Sequence, residues 1–223
     1  MPQRPPDVVP DIVQRDLTEE QLQAYLASPE LSIDTETLGL QQLRDRLCLV
    51  QLCDRAGRAT IVQIQRDQVI ASTTPETRAP RLKRVLEDAR VLKVLHFARF
   101  DVAVLRHYLG IRLWPLYCTR TASKLVRTYT DRHGLKDLVR ELLGQEISKQ
   151  QQTSDWGAAE LNDAQREYAA SDVRYLHQLK EKLDERLVRE GRVELAQSCF
   201  DFLPARALLD LAGWAEVDIF SHG

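Results

Sequence analysis

The segment Ile33-Asp34-Thr35-Glu36-Thr37 ends an apolar run with two carboxylates that lie one residue apart. Its composition predicts a strand, in which successive side chains point to opposite faces. Asp34 and Glu36 therefore point the same way, and their like charges repel unless a cation joins them. A divalent metal ion with oxygen ligands is a suitable cation, although acidic residues at strand ends often simply face water. The pair indicates a metal site only if other segments supply further ligands.

Length and charge limit the classes of protein that fit this sequence. The chain has 223 residues, enough for one domain with a substantial core. Its net charge of −2 and its pI of about 6.2 argue against strong sequence-independent binding of long nucleic acid, because such binding needs many contacts to phosphate. A short ligand or a locally basic cleft remains compatible. We expect a proline-rich N-terminal lead-in, residues 1–16, and then a single domain, residues 17–223, with an apolar C-terminal tail.

Cysteines and apolar segments bear on redox state and location. The cysteines at positions 48, 53, 118 and 199 have no CxxC spacing and no clustered histidines, which disfavours a zinc site and favours reduced thiols in the core. No apolar run is long enough to span a bilayer, and the start of the chain lacks the apolar core of a signal peptide. We therefore expect a cytoplasmic protein without a membrane partner.

The spacing of apolar residues predicts a mixed α/β fold. A three-strand meander comes first, and helices and strands then alternate, which indicates one mixed five-stranded sheet flanked by helices. The strands are predicted at 31–34, 46–53, 59–64, 91–96 and 116–118. Helices are predicted from about residue 18, from about residue 80, and at 100–109, 121–126, 134–143 and 162–190. The longest helix has Asn162 as its N-cap and ends before Gly191.

Three further residues with suitable side chains lie beyond the first pair. Asp101 is in the first turn of the helix after the strand at 91–96, and such a junction borders the binding crevice of an α/β sheet. Tyr168 and Asp172 are four residues apart on the longest helix, so they project from one face. Taken singly, Asp101 also fits an ordinary helix start, and the other two also fit an ordinary surface pair. Together, the four carboxylates are able to converge on one crevice.

Convergent carboxylates indicate divalent metal ions. Two such ions about 3.5–4 Å apart are known to promote in-line displacement at phosphorus, because they generate a nucleophilic hydroxide and stabilise the leaving oxygen. A tyrosine such as Tyr168, with an ordinary pKa of about 10, is a poor base but a good donor for orienting water or phosphate. These residue types are therefore compatible with hydrolysis of a phosphodiester.

The order of these motifs resembles a known family. Asp34-x-Glu36, His96-Phe-Ala-Arg-Phe-Asp101 and Tyr168-x-x-x-Asp172 resemble the motifs of the DEDD 3′-to-5′ exonucleases, in the subgroup with tyrosine in the last motif. Ser154-Asp-Trp156 narrows the resemblance to ribonuclease D-related proteins, and further segments narrow it to the NrnC-like oligoribonucleases over nearly the whole chain. Those segments are 35–40, 44–48, 128–136, 147–152 and 213–220.

This resemblance implies a fold, a cofactor and an activity. The fold is a ribonuclease H-like sheet, and the cofactors are two divalent metal ions, Mg²⁺ or Mn²⁺. The implied metal ligands are Asp34, Glu36, Asp101 and Asp172, and Tyr168 completes the catalytic set beside the nucleophilic water. NrnC-like proteins degrade very short oligoribonucleotides, especially dinucleotides, to nucleoside 5′-monophosphates, and they assemble as octameric rings.

Four more residues are candidates for substrate binding. In enzymes that act on short oligonucleotides, an apolar residue after the first motif wedges between two bases. Leu40 holds that place, with a core leucine as the alternative. His96 is a candidate donor of a hydrogen bond to substrate. The alternative is a histidine at a strand end whose hydrogen bonds are all made within the protein. Lys149 and Gln152 are candidates for capping a terminal phosphate, although polar loops of this kind are more often only solvated.

Two other functions compete with an exonuclease on very short RNA. One is a ribonuclease D-like exonuclease that acts on the 3′ ends of longer RNA or DNA. The other is a non-catalytic scaffold that binds nucleic acid. The complete acidic set argues against the scaffold. Four crowded carboxylates cost stability through mutual repulsion, and a protein without catalytic activity is able to lose them.

The C-terminal tail predicts a homo-oligomer. Its large apolar residues follow the last clear core helix, and if they were exposed they would form a patch of the kind that marks an interface. They are Phe200, Phe202, Leu203, Leu208, Leu209, Leu211, Trp214, Val217, Ile219 and Phe220. The alternative is that the tail folds back over its own sheet.

Overall fold

A six-stranded mixed sheet lies at the centre of the computed structural model. The structure describes residues 10–69, 74–148, 150–151 and 153–222. The strands are β1 (Asp11–Gln14), β2 (Glu30–Thr37), β3 (Leu47–Asp54), β4 (Ala59–Gln63), β5 (Leu92–Leu95) and β6 (Leu116–Cys118). Their spatial order is β1-β4-β3-β2-β5-β6.

The pairing of the strands brings two chain segments to one end of the sheet. β2, β3 and β4 form an antiparallel meander, whereas β5 runs parallel to β2 and β6 runs parallel to β5. The last aligned pair of β2 and β5 is Ser32 with Val94. Two residues further along, the chains reach Asp34 and His96, so both residues come to the carboxyl end of these central strands.

Helices cover the sheet and the ends of its strands. They are α1 (Glu19–Leu26), α2 (Pro80–Leu86), α3 (Ala98–Leu109), α4 (Thr119–Val126), α5 (Leu135–Leu138), α6 (Asp163–Arg174), α7 (Leu176–Arg189) and α8 (Val193–Leu209). A short π-helical turn at Val139–Leu143 follows α5, and another at Asp210–Trp214 follows α8. α6 packs on β2, β3 and β4, and α8 packs on α3 and α4. No helix within the described ranges is both long and apolar enough to cross a membrane.

The predicted fold class is confirmed, but within the described residues the sheet has six strands where the sequence suggested five. The additional strand, β1, lies in the segment predicted as lead-in and runs parallel to β4. Its Ile12 and Val13 are half-buried and pack against hydrophobic clusters of the core, so β1 covers an edge that β4 would otherwise expose. The prolines upstream of residue 11 obscured this signal, and residues 1–9 lie outside the described residues.

The longest predicted helix, 162–190, is in fact two helices. α6 ends at Arg174, Tyr175 interrupts the helix, and α7 begins at Leu176. Val173 and Leu176 are both buried, so the apolar spacing continues through the break and cannot reveal it. The predicted N-cap, Asn162, is confirmed.

Part of the C-terminal tail folds back on its own domain, as the alternative interpretation proposed. It forms α8, in which Phe200 is buried against Tyr117 with ring centroids 4.5 Å apart. The Arg99 guanidinium of α3 binds the buried carboxylate of Asp210, with Nη2 2.7 Å from Oδ1. Other large apolar side chains of the tail stay exposed, namely Phe202, Leu208, Trp214, Val217, Ile219 and Phe220. The tail therefore contributes both to the core and to the surface.

The capping box of α6 should contribute measurably to stability. Asn162 Oδ1 accepts a hydrogen bond from the Gln165 amide at 2.9 Å, and Gln165 Oε1 accepts one from the Asn162 amide at 3.0 Å. We expect Asn162→Ala to cost about 1 kcal/mol, which lowers the Tm by roughly 2–4 °C in a chain of this size. Asn162→Ser retains a cap and should keep the Tm close to that of the wild type. Equal losses in both variants in thermal unfolding would contradict this assignment.

Candidate active site

Three of the four predicted carboxylates converge directly. Asp34 and Glu36 come from the end of β2, and Asp172 comes from α6, which packs on that strand. One oxygen of each carboxylate lies within 4.8 Å of the other two, and all three side chains are half-buried. This spacing is suitable for a shared divalent cation, since such ions prefer oxygen ligands.

The fourth carboxylate, Asp101, approaches from the other face of β2. It lies buried in the first turn of α3, and its Oδ1 accepts a hydrogen bond from the Thr35 hydroxyl at 2.7 Å. Asp101 is not among the carboxylates that meet at 4.8 Å. Its charge nevertheless contributes to raising the pKa of Asp34 and Glu36, so it lies within electrostatic reach of both. The side chain of Thr35, which strand alternation points away from Asp34 and Glu36, thus positions Asp101.

The pKa values of these groups show how crowded the negative charge is. Burial, followed by the charges of the neighbouring carboxylates, raises the pKa of Asp34 well above its ordinary value. The same causes raise the pKa of Glu36 to about 9, and burial raises the pKa of Asp101 to about 7. None of these three carboxylates forms an ion pair within the described residues. The donor set therefore fits divalent metal ions, which would supply the missing positive charge.

Tyr168 lies one helical turn before Asp172 and faces the same group. Its ring packs against Trp156, with centroids 5.8 Å apart. Burial first, and then the charges of Asp172, Glu36 and Asp34, raise the pKa of Tyr168 well above the ordinary value. The phenol therefore keeps its proton at neutral pH and acts as a hydrogen-bond donor, with the Asp172 side chain as one partner.

The hydrogen bonds of His96 define its tautomer. His96 Nδ1 is 2.9 Å from Thr119 Oγ1, and that hydroxyl donates to the Leu95 carbonyl at 3.1 Å. Because the hydroxyl has one hydrogen, both bonds form together only if Nδ1 carries the imidazole proton. Burial, aided by the positive charge of Arg120, lowers the pKa of His96 to about 3, so the ring is neutral. Nε2 is then a hydrogen-bond acceptor, whereas the sequence suggested a donor.

The structure places Leu40 on the surface and leaves two other candidates undescribed. Leu40 is 85% exposed in the loop after β2, so it is not the core leucine that was the alternative. The loop is held by Asp45, whose Oδ2 accepts a hydrogen bond from the Gln41 amide at 2.9 Å. Lys149 and Gln152 lie outside the described residues.

Three more residues near the site escaped the sequence analysis. Gln51 is aligned with Asp34 across the β2–β3 pair and is fully buried, and its amide has no hydrogen-bond partner in the described part of the chain. Phe97 adopts φ 64° and ψ 41°, and a non-glycine residue in this region costs about 1–2 kcal/mol. The Arg120 guanidinium carbon lies 4.5 Å from the Phe97 ring centroid. Strand alternation could have indicated Gln51, but no local signal marks Phe97 or Arg120.

Comparisons with known proteins agree with this arrangement. A family model described as 3′-5′ exonuclease matches residues 11–188. The chain belongs to the 3′-5′ exonuclease family. It is 36% identical over 170 residues to ribonuclease D of Gluconacetobacter diazotrophicus, a match that covers 76% of this chain but only 41% of that protein. The chain therefore spans less than half the length of that relative.

Within this family the chain is similar to NrnC. The structure of Brucella melitensis NrnC is 51% identical with a TM-score of 0.87, and the match covers 96% of this chain and 98% of that one. Escherichia coli ribonuclease D is 25% identical with a TM-score of 0.74, over 90% of this chain and 51% of that one. The chain is thus an NrnC-like, ribonuclease D-related exonuclease by family, and the predicted resemblance is confirmed.

Without metal, the contribution of the crowded carboxylates to stability should fall as the pH rises. The pKa values of Asp34, Glu36 and Asp101 are raised in the folded state, so the folded protein binds more protons than the unfolded chain. The stability they contribute is complete below an ordinary carboxyl pKa of about 4. It is lost as the pH rises through about 7 for Asp101 and about 9 for Glu36.

Thermal unfolding in EDTA measures this effect. The Tm of the wild type minus that of Glu36→Gln should fall steadily between about pH 5 and about pH 9, because the variant lacks one of the titrating groups. A difference that does not change with pH would show that Glu36 is not crowded by negative charge.

Proposed function

We propose that this protein is a cytoplasmic 3′-to-5′ exoribonuclease that uses two divalent metal ions, Mg²⁺ or Mn²⁺, to degrade very short oligoribonucleotides. Dinucleotides are the preferred substrates, and nucleoside 5′-monophosphates are the products. The observation that carries the proposal is the convergence of Asp34, Glu36 and Asp172 within 4.8 Å beside a protonated Tyr168. NrnC of Brucella melitensis, which matches nearly the whole chain, has been solved with bound Mg²⁺ and with bound pGG.

The chain's own residues divide the chemistry between them. Asp34, Glu36, Asp101 and Asp172 would hold the metal ions, which when bound supply a nucleophilic hydroxide and neutralise the leaving oxygen. Tyr168 donates a hydrogen bond that orients the attacking water or the scissile phosphate. Because the carboxylates already crowd one another, substrate phosphate is admitted only together with the cations.

The groups around the carboxylates suit a short nucleotide chain. We propose that neutral His96 presents an acceptor to a sugar hydroxyl and that Leu40, which is exposed, wedges between two bases. Arg120 lies close enough to His96 for its charge to lower the pKa of the ring, so the site has a cation for the substrate backbone. We retain Lys149 and Gln152 as candidates for binding a terminal phosphate.

A series of substrate lengths tests this proposal against the competing one. We expect cleavage of 5′-labelled oligoribonucleotides to be fastest for the dinucleotide and to slow steeply as the length grows to about seven nucleotides, since the proposed contacts involve only two bases. EDTA should abolish the activity. Rates that rise with length would favour an exonuclease on longer RNA, as the similarity to ribonuclease D allows, and rates that favour deoxyribonucleotides would favour DNA.

Asp172→Asn is the matched control for that series. It removes one negative ligand and almost no volume, so turnover should fall by at least about 100-fold while the fold is retained. Near-normal Mg²⁺-dependent turnover in this variant would refute the metal assignment, and the absence of any turnover in the wild type would favour the non-catalytic scaffold.

We also propose that copies of the chain assemble through the exposed part of the tail, as an octameric ring by resemblance. Phe202 and Phe220 have ring centroids 6.0 Å apart and are 41% and 72% exposed. Val217 and Ile219 add exposed apolar surface next to them. A contiguous patch of this kind is typical of an interface. A closed ring would also restrict access to the site and favour short strands.

Light scattering tests the assembly. The wild type should have a mass several times 25.6 kDa. A chain that ends at Glu216 loses the exposed apolar end but keeps Asp210 and Ala215, which bind Arg99, so it should fold. Its assembly should contain fewer copies of the chain and so have a lower mass than the wild-type assembly. A monodisperse 25.6 kDa wild type at micromolar concentration would refute the proposal.

A further inference from the structure

We propose that Phe97, supported by Arg120, is a stacking surface for a nucleobase of the substrate. This inference rests on the proposed function, because a base is available only if the substrate is an oligonucleotide. Phe97 directly follows His96, which the parallel β2–β5 pair brings to the same end of the sheet as Asp34. The ring therefore lies at the same end of the sheet as the convergent carboxylates.

One face of the Phe97 ring is covered by Arg120, and nearly half of the side chain stays exposed. The Arg120 guanidinium lies 4.5 Å from the ring centroid, and this contact holds the ring in place. The side chain nevertheless remains 45% exposed. A fixed and partly exposed aromatic ring is suited to stacking on bases, since every base offers a π-face.

The backbone of Phe97 gives independent support. Its φ of 64° lies in the left-handed region, where glycine is relaxed and other residues are strained. Folding alone would therefore favour glycine at this position, and an exposed ring adds little to the core. The ring is thus retained for a use outside folding, which is the inference that such an outlier supports.

Leu40 and Phe97 flank the carboxylates from opposite sides. Leu40 lies in the loop that joins β2 to β3, whereas Phe97 follows β5, the neighbour of β2 on its other side. Both side chains are exposed. If Leu40 separates two bases, Phe97 is placed to contact one of them, and the substrate is held by apolar contacts on both sides of its scissile bond.

Paired variants separate the ring from the backbone. Phe97→Ala and Phe97→Gly remove the same ring, but only glycine relaxes the backbone, so Phe97→Gly should have the higher Tm. With a 5′-phosphorylated diribonucleotide and Mg²⁺, both variants should raise KM by about 10- to 100-fold with a much smaller change in kcat. Trp114→Ala is the matched control, because it removes an exposed aromatic ring that precedes β6, at the opposite end of the sheet. It should keep the wild-type KM.

Dinucleotides that lack one base identify the stacked position. The wild type should bind one of the two abasic analogues more weakly than the complete dinucleotide, and Phe97→Ala should lose that discrimination. The inference is overturned if the wild type cleaves the dinucleotide but both Phe97 variants keep KM within about twofold, or if Phe97→Ala discriminates as the wild type does. Failure of the wild type to cleave any dinucleotide would instead refute the proposed function.

Discussion

Repulsion among the carboxylates at the end of β2 is the constraint on which the rest of the site depends. Asp34, Glu36 and Asp172 come within 4.8 Å of one another, and the resulting electrostatic cost must be offset by the remainder of the fold. β3, which pairs with β2, is buried along its whole length, and α6 is fixed by its capping box and by packing on three strands. The rigid sheet therefore holds together a group of half-buried carboxylates that a flexible chain would disperse.

The same constraint explains the character of the groups around the carboxylates. Tyr168 keeps its proton because burial, and then the surrounding negative charge, raises its pKa, and His96 stays neutral because it is buried near a cation. Negative charge is thus concentrated on the residues that suit metal ions, whereas Tyr168 and His96 offer the substrate a neutral donor and a neutral acceptor. This separation makes the protonation states of Tyr168 and His96 insensitive to modest changes of pH around neutrality.

Local signals in the sequence were sufficient to predict some features of the structure but not others. The cap at Asn162 and the placement of Asp101 depend on residues close in sequence, and the structure agrees with both. The break at Tyr175 has no such signal, because the apolar pattern continues across it. The exposure of Leu40 depends on how its loop packs, and the position of the Phe97 ring depends on its contact with Arg120, which lies in a helix more than 20 residues away. The local pattern therefore predicted the acidic residues of the site but not the surfaces around them.

The ion pair between Arg99 and Asp210 joins parts of the chain that have separate tasks. Arg99 is two residues from Asp101 in α3, and Asp210 begins the turn after α8. Because Asp210 is buried, loss of its charge removes this partner from Arg99, and loss of the Arg99 charge leaves Asp210 with Arg206, whose Nη2 is 3.0 Å from Asp210 Oδ1. The two positions, 111 residues apart, are thus expected to vary together during evolution. A substitution at Asp210 in the tail would then be constrained by its effect on α3, the helix that carries Asp101.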